Sequence, residues 1–268
     1  MKITTWNINS VRLRIDQVTA FLQAEQPDVL CLQEIKCTDD QVPAKALAKI
    51  GYDQIAVHGQ KSYHGVAIVA RVPLSDVTLT DFCAMGDARH IQARAGGIDI
   101  HNFYVPAGGD EPDPAANEKF AHKLSFLEEM AEWSTALRAT PRRKKVLVGD
   151  LNVAPDPDDV WSHKQLLKVV SHTPIEVDKL NAARDAGGWT DVARALIPGP
   201  EKLYSWWSYR ARDWRASNRG RRLDHIWVNG ALKKAALAGG RAAYEIHGDV
   251  RGWEKPSDHA PISLTFDV

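Results

Sequence analysis

The sequence predicts an α/β fold in which β-sheets pack together and helices flank them. Three observations lead there. Short apolar or alternating runs of strand length recur along the chain, a few longer stretches carry apolar residues at helical spacing, and the two kinds of element do not alternate strictly as βαβ units would. With 268 residues, 44% of them hydrophobic, the chain can bury a sizeable core. No Pro/Gly/Ser-rich linker or low-complexity tract divides it, so one domain spanning residues 1–268 is expected.

Lys2–Trp6 is β-branched and aromatic and reads as the first strand. Val11, Ile15, Val18 and Leu22 then recur at helical spacing up to the break at Gln26-Pro27. Asp28–Gln33 is a buried strand, and Gly65–Ala70 and Ile98–Val105 are apolar or alternating runs bounded by turn residues. Phe120, Leu124, Leu127 and Trp133 mark a helix from Pro114 to Leu137, after which Lys145–Val148 enters another buried strand. Leu223–Val228 and Pro261–Phe266 are the last clear strands. The step from strand to polar turn at Trp6-Asn7 returns at Gly149-Asp150-Leu151-Asn152, an echo that suggests two similar halves without a detectable repeat period.

Lysine plus arginine equals aspartate plus glutamate, 34 of each, so net charge supplies no global attraction to a polyanion. Local charge does. Six arginines stand against two acids between Ser205 and His225, and Arg142-Arg143-Lys144-Lys145 forms a second basic cluster. Residues 1–10 contain no apolar h-region and the first strand starts at Lys2, so no removable targeting segment is expected. Nothing approaches a membrane span. Cys31, Cys37 and Cys83 are odd in number and lack zinc-like spacing, which points to reduced thiols in a cytoplasmic protein, with Cys37 the one expected at the surface.

Four polar stretches follow apolar runs: Trp6-Asn7-Ile8-Asn9, Leu32-Gln33-Glu34, Gly149-Asp150-Leu151-Asn152 and Ser257-Asp258-His259. If the strands deliver them to one rim, the oxygen-rich set suits a hard divalent cation such as Mg²⁺ or Mn²⁺. Asp150 and Asn152, two apart on an extended chain, would point the same way. Taken singly, each stretch reads equally as a strand-end turn in which Asp or Asn satisfies backbone groups. Taken jointly, Asn7, Glu34, Asp150, Asn152, Asp224 and His259 at strand ends argue for a common purpose.

The ordered set resembles the exonuclease III family of the endonuclease/exonuclease/phosphatase superfamily, the bacterial apurinic/apyrimidinic endonucleases. The resemblance runs from Trp6-Asn7-Ile8-Asn9 and Pro27–Glu34 through His58–Lys61, Asn102–Pro106 and Gly149–Asn152 to Arg222-Leu223-Asp224 and Lys255–Pro261. It implies a four-layered α/β sandwich, two mixed sheets face to face with helices outside. It also implies Glu34 as the principal metal ligand supported by Asn7, with Asp150, Asn152, Asp258 and His259 lining the same pocket and Tyr104 and Asp224 completing it.

Phosphodiester hydrolysis suits that set. A divalent ion stabilises charge on the non-bridging and leaving oxygens. Asp150 would align or deprotonate the attacking water, and Asn152 would donate to an equatorial oxygen. His259 would bind the phosphate, with Asp224 orienting its imidazole and favouring the charged form. Tyr104, a phenol at neutral pH, would donate a hydrogen bond or proton.

Trp206 aligns with the wedge that the family inserts at a DNA lesion, and Arg210, Arg212, Asn218, Arg219, Arg221 and Arg222 are expected DNA contacts, interleaved with aromatics that can stack on bases. An aromatic core segment with a solvated arginine face is the alternative. The implied partner is double-stranded DNA, especially abasic sites and 3′ ends, engaged by a monomer. The implied activities are incision 5′ to abasic sites, 3′-to-5′ exonuclease and 3′-phosphatase. His163 and His172 carry no assigned role, a structural one being the default, and for His64 and His90 phosphate contact is the alternative to such a role. A phosphoinositide phosphatase or sphingomyelinase would want an apolar membrane-facing hairpin or a headgroup loop, which the sequence lacks. A non-catalytic nucleic-acid-binding module would have lost Glu34, Asp150, Asp224 or His259, and all four are present.

Overall fold

The apolar runs pair into two six-stranded sheets stacked face to face. The computed structural model describes residues 1–211 and 213–268. In chain order the first half holds β1 (Lys2–Asn7), α1 (Ile15–Glu25), β2 (Val29–Gln33), α2 (Ala44–Ala48), β3 (Gln54–His58), β4 (Val66–Ala70), β5 (Leu74–Leu79), β6 (His90–Ala95) and β7 (Ile98–Tyr104). Then come α3 (Glu118–Leu137), β8 (Lys144–Asp150), α4 (His163–Leu166), α5 (Pro174–Gly187), β9 (Thr190–Asp191), α6 (Val192–Leu196), β10 (Trp206–Trp207) and α7 (Trp214–Ser217). The chain closes with β11 (Gly220–Arg221), β12 (Asp224–Val228), α8 (Gly230–Ala238), β13 (Tyr244–Ile246) and β14 (Ile262–Thr265).

One sheet has the order β13-β14-β1-β2-β4-β3 and the other β5-β6-β7-β8-β12-β9, while β10 and β11 form a separate ribbon. Each large sheet has one parallel pair at its centre, β1 with β2 and β7 with β8, and is antiparallel elsewhere. Strand for strand the two sheets have the same pattern of directions, and the ends of β1 and β8, Asn7 and Asp150, fall at equivalent places. The echo between Trp6-Asn7 and Gly149–Asn152 thus has a topological counterpart.

Alternation along the strands explains the layers. Ile3, Val29, Cys31, Ile68, Ile100, Val146, Val148 and Ile226 point between the sheets. Trp6, Leu30, Leu32 and Val69 point outward onto Val18, Phe21 and Leu22 of α1. On the opposite outer face Phe103, Leu147 and Trp227 meet Phe126, Leu127 and Met130 of α3 and Leu180 and Ala183 of α5. Covering both faces removes the need for polar alternation, which is why these strands read as continuous apolar runs. Full burial of Phe126 or Leu127 contributes about 1.5–3 kcal/mol each. The result is the expected four-layered sandwich of two mixed sheets with helices outside. Where the strand ends converge, Gln33 Nε2 donates to Asn102 Oδ1 at 2.6 Å, and Asn102 Nδ2 donates to the carbonyls of Leu32 and Ala67, a polar clasp between the sheets.

Several boundaries differ from the sequence reading. The first helix begins at Ile15, although Val11 is also buried. The long helix starts at Glu118, where the Asn117 side chain caps it by accepting from the Lys119 amide. Helix α5 was legible but unread: Thr173-Pro174-Ile175-Glu176 is a capping box with proline at the first turn, and Gly188 closes the helix in the left-handed conformation. Cys37 is buried, and Cys83 is the partly exposed thiol, because Cys37 packs with Ile35, Val42 and Leu47 beside the first sheet. Among the described residues no helix is long and apolar enough to cross a membrane.

Candidate active site

Strand pairing brings the polar ends together. β7 runs parallel to β8 with Tyr104 opposite Asp150, and β12 runs antiparallel to β8 with Asp224 opposite Asp150. On the facing sheet Asn7 pairs with Gln33, which precedes Glu34. His259 is joined by a β-bridge to Trp206. Gly149 allows the approach: its φ is +140°, and a Cβ there would sit 2.0 Å from the Phe103 carbonyl oxygen. Glu34 and Asn152 take left-handed φ values of 49° and 52°. Such non-glycine conformations cost about 1–3 kcal/mol each and persist where the surroundings over-determine them.

That turn corrects the extended-chain expectation for Asp150 and Asn152. The chain bends after Asp150, so Asn152 folds back on it. The Asn152 amide donates to Asp150 Oδ1 at 3.0 Å, and its side-chain Nδ2 to Asp150 Oδ2 at 3.2 Å and the Val105 carbonyl at 2.9 Å. Both side-chain N–H bonds are thereby used. Asn152 steadies the Asp150 carboxylate and has no spare N–H for an equatorial phosphate oxygen, while no described residue donates to its Oδ1.

Asn7 Nδ2 donates to Glu34 Oε1 at 2.9 Å and to Asp150 Oδ2 at 2.8 Å, so carboxylates from the two sheets converge on one point. Glu34 Oε1 also accepts from the Tyr104 hydroxyl at 2.9 Å, and Lys36 lies 2.8 Å from Oε2. Burial alone would raise Glu34, but Lys36 and the Asn7 hydrogen bond hold its carboxyl below the usual range. Burial, then the Glu34 and Asp150 carboxylates, pushes Tyr104 well above an ordinary phenol, so it stays a donor.

Deeper in, His259 Nδ1 donates to Asp224 Oδ2 at 2.8 Å, and its Nε2 faces Asp150 Oδ2 at 3.7 Å. Ser205 Oγ donates to the same Asp224 oxygen at 2.6 Å, and Asp224 Oδ1 is buried with no partner. Burial disfavours the charged imidazole, yet Asp224 and Asp150 outweigh it and lift His259 to about 10. Asp150 rises to about 7, chiefly through burial, with His259 opposing and Asp224 reinforcing the shift. With Nδ1 committed to Asp224, His259 presents Nε2 toward Asp150 and the cleft, where as an imidazolium it is an N–H donor.

The donor set fits a hard divalent cation. Glu34, Asp150 and Asp258 supply carboxylate oxygens and Asn152 a free amide oxygen, and carboxylates outnumber the two nearby cationic groups. Asn7 presents its NH₂ to the carboxylates, its Oδ1 accepting from the Asn9 amide at 3.1 Å. It would have to turn its amide over to ligate. Among the described residues Asp150, Asp224 and His259 are grouped with ligand atoms within 4.8 Å of one another.

A cleft of about 690 Å³ opens above this floor, walled by Trp161, Trp206, Arg210, Arg219 and Arg221. Trp206 is half-buried, donates from Nε1 to Asp258 Oδ2 at 3.0 Å and carries the Arg221 guanidinium 5.2 Å above its ring. Trp207 is buried against Tyr204 and Trp214 and donates to Asn218 Oδ1 at 3.1 Å, so Asn218 is partly occupied inside the protein. Arg210 and Arg219 are exposed, and Arg219 stacks 4.7 Å over Trp161.

Arg222 is not on this wall. It is fully buried, and its five N–H groups reach Asp159, Asp191 and His225, leaving none for a phosphate. Arg212 lies outside the described residues. His90 is buried against Phe82 and Phe103, which excludes phosphate contact, whereas His64 is partly exposed beside Tyr104. His172 is buried and bonds His163 and the Ala154 carbonyl, as a structural residue does. Trp161 and Lys36 escaped the sequence reading, whereas Arg221 was expected as a backbone contact and lies on the cleft wall. Nothing local to Trp161 or Lys36 marks them.

Comparison with known proteins places the chain among phosphoester-cleaving enzymes. Residues 4–259 match the Endonuclease/Exonuclease/phosphatase family. The chain is 30% identical to exodeoxyribonuclease III of Haemophilus influenzae, over 99% of this chain and 100% of that protein. Among solved structures it superposes on an AP endonuclease from Archaeoglobus fulgidus with a TM-score of 0.90 and 32% identity, covering all of both chains. A 3′ phosphatase, NExo, from Neisseria, bound to product DNA hairpin, is similar over all of both chains with a TM-score of 0.89 and 33% identity.

Proposed function

The chain belongs to the Endonuclease/Exonuclease/phosphatase family, and from that premise we propose that it is a metal-dependent DNA phosphodiester hydrolase of base-excision repair. It incises duplex DNA 5′ to abasic sites and acts at 3′ ends as exonuclease and phosphatase. The observation that carries this reading is the convergence of Glu34, Asp150 and the Asp224–His259 pair beneath a cleft walled by Trp206 and arginines. The acidic floor suits a cation and the basic aromatic wall suits a nucleic acid. One domain, residues 1–268, working as a cytoplasmic monomer, belongs to the same proposal.

Mg²⁺ or Mn²⁺, when bound, would be held chiefly by Glu34, supported by Asn7 once its amide is turned over, with Asp150, Asn152 and Asp258 lining the same pocket, and would supply Lewis-acid stabilisation of charge on the phosphate. Asp150, steadied by Asn152 and Asn7, aligns the attacking water and accepts its proton. His259, held charged by Asp224, donates from Nε2 to a non-bridging oxygen, and the buried pair needs no reorganisation as charge develops there. Tyr104 donates its one O–H to Glu34 Oε1 at 2.9 Å and so orients that carboxylate. Trp206 fills the gap left by a displaced abasic nucleotide, which flips out more readily because it has neither pairing nor stacking to lose.

The test is cleavage of an abasic duplex by the purified protein with Mg²⁺ and with excess chelator, beside an inositol phosphate and sphingomyelin. Incision with Mg²⁺ that stops in chelator is expected. Equal cutting in chelator would refute the metal chemistry, and preference for either of the other substrates would refute the DNA reading.

A further inference from the structure

Among the non-glycine cleft residues held in left-handed conformations are Asn152 at φ 52° and Ser171 at φ 85°. Both are tied to one buried ion pair on the helices behind. Lys123, on α3, is fully buried and points its ammonium away from solvent. Its Nζ donates to the Asn152 carbonyl at 2.8 Å, to the Ala107 carbonyl at 3.3 Å and to Glu176 of α5. Glu176, also fully buried, accepts the Ser171 amide on both oxygens, at 2.9 and 3.0 Å, together with the Thr173 amide and hydroxyl. Ser171 in turn holds Arg221, whose Nη1 donates to its hydroxyl at 2.7 Å, and Arg221 lies over Trp206.

A buried ammonium needs an acceptor for each of its three N–H groups, and here two of the three are backbone carbonyls of separate loops, Ala107 and Asn152. A buried ion pair is weak support for stability, since apolar replacements are often as stable. Strain of this kind is retained where surrounding groups over-determine it. We infer that Lys123 and Glu176 are positioning residues: the pair sets the backbone of Asn152 and Ser171, and through them aims the Asp150 carboxylate and the Arg221–Trp206 wall. This rests on the nuclease reading above, but the pair touches neither substrate nor metal.

The experiment compares Lys123→Met, Lys123→Arg and the double variant Lys123→Met, Glu176→Gln with wild type, in thermal melts, in steady-state cleavage of an abasic duplex with Mg²⁺, and in hydrogen exchange of the Asn152 amide. The single Met variant leaves the Glu176 charge unpaired, so its melting temperature falls. The double variant removes both charges, so its melting temperature recovers. A merely structural pair would then regain turnover as well. A positioning pair keeps kcat about ten- to a hundredfold low with KM nearly unchanged, because the Asn152 carbonyl still lacks its donor. The Asn152 amide, which bonds Asp150 Oδ1, exchanges faster at matched stability, and Lys123→Arg, which retains charge and donors, restores protection and turnover in part. Full turnover and protection in the double variant, or equal losses in the Arg and Met variants, would overturn the inference. Should wild type fail to cleave, the functional reading falls, while the exchange comparison still decides the positioning role.

Discussion

Replacing Arg222 with methionine tests the reassignment of this residue from DNA contact to core. The variant removes a guanidinium that binds Asp159 at 2.8 Å through both Nε and Nη2 and Asp191 at 3.1 and 2.8 Å. It leaves Asp159 with Arg194 and Asp191 with no buried cation. Breaking a buried pair by deleting one partner costs about 3–5 kcal/mol. Part of that loss is linked to pH. Burial would raise the Asp159 carboxyl, but Arg222 and then Arg194 hold it at about 2, against an ordinary 3.8. A depressed carboxyl contributes stability that is complete above the unfolded value and disappears as pH falls through the folded one. The shift corresponds to roughly 2 kcal/mol. Urea unfolding should therefore show Arg222→Met destabilised by about 3–5 kcal/mol at pH 7, with the deficit narrowing between about pH 4 and pH 2. In the same experiment Arg219→Ala should unfold like wild type and lower the log K versus log salt slope for duplex DNA by about 0.9, the value of one phosphate contact. A deficit below about 1 kcal/mol in Arg222→Met, comparable to that of an ordinary exposed pair, would refute the buried assignment. So would a reduced salt slope in folded Arg222→Met.

Glu34→Gln should raise the Mg²⁺ concentration needed for cleavage and be partly rescued by more cation, whereas Asp150→Asn should lower kcat with little rescue; identical metal titrations would contradict the separation of roles. Trp206→Ala should weaken abasic-duplex binding by about ten- to a hundredfold, as loss of one stacking contact does, with the fold intact by circular dichroism. Trp207→Ala should instead lose about 3–5 kcal/mol of stability, as a buried Trp does, and the opposite pattern would mean the pair is assigned backwards. Asp224→Asn removes the main group that lifts His259 to about 10, so the imidazolium deprotonates at lower pH and the alkaline limb of the pH–rate profile moves toward neutrality. An unmoved limb would show that His259 does not act as the charged donor.

The linear chain was informative wherever chemistry follows from position on a strand. Apolar runs ending in Asn7, Glu34 and Asp150 announced strand ends, and a buried strand end is a natural place for a polar side chain because backbone pairing ceases there. The ordered motifs therefore named residues that the fold brings together, including Asp224 and His259. What the chain could not convey was which way neighbouring side chains turn and what lies across the sandwich. Asn152 was expected to sit beside Asp150 on an extended strand and instead bends back through a left-handed turn. Lys123 and Glu176 lie 53 residues apart and meet only because α3 packs on α5.

The run Arg219-Gly220-Arg221-Arg222 is the clearest case. By composition it is one basic patch. On β11 and its continuation, successive side chains alternate faces, so Arg221 reaches the cleft wall while Arg222 turns into the core onto Asp159 and Asp191. Charge content and strand propensity were properties of the sequence alone. The facing of each arginine was decided by tertiary structure, because only the packed fold brings two acids from distant segments to one side of the strand and leaves solvent on the other.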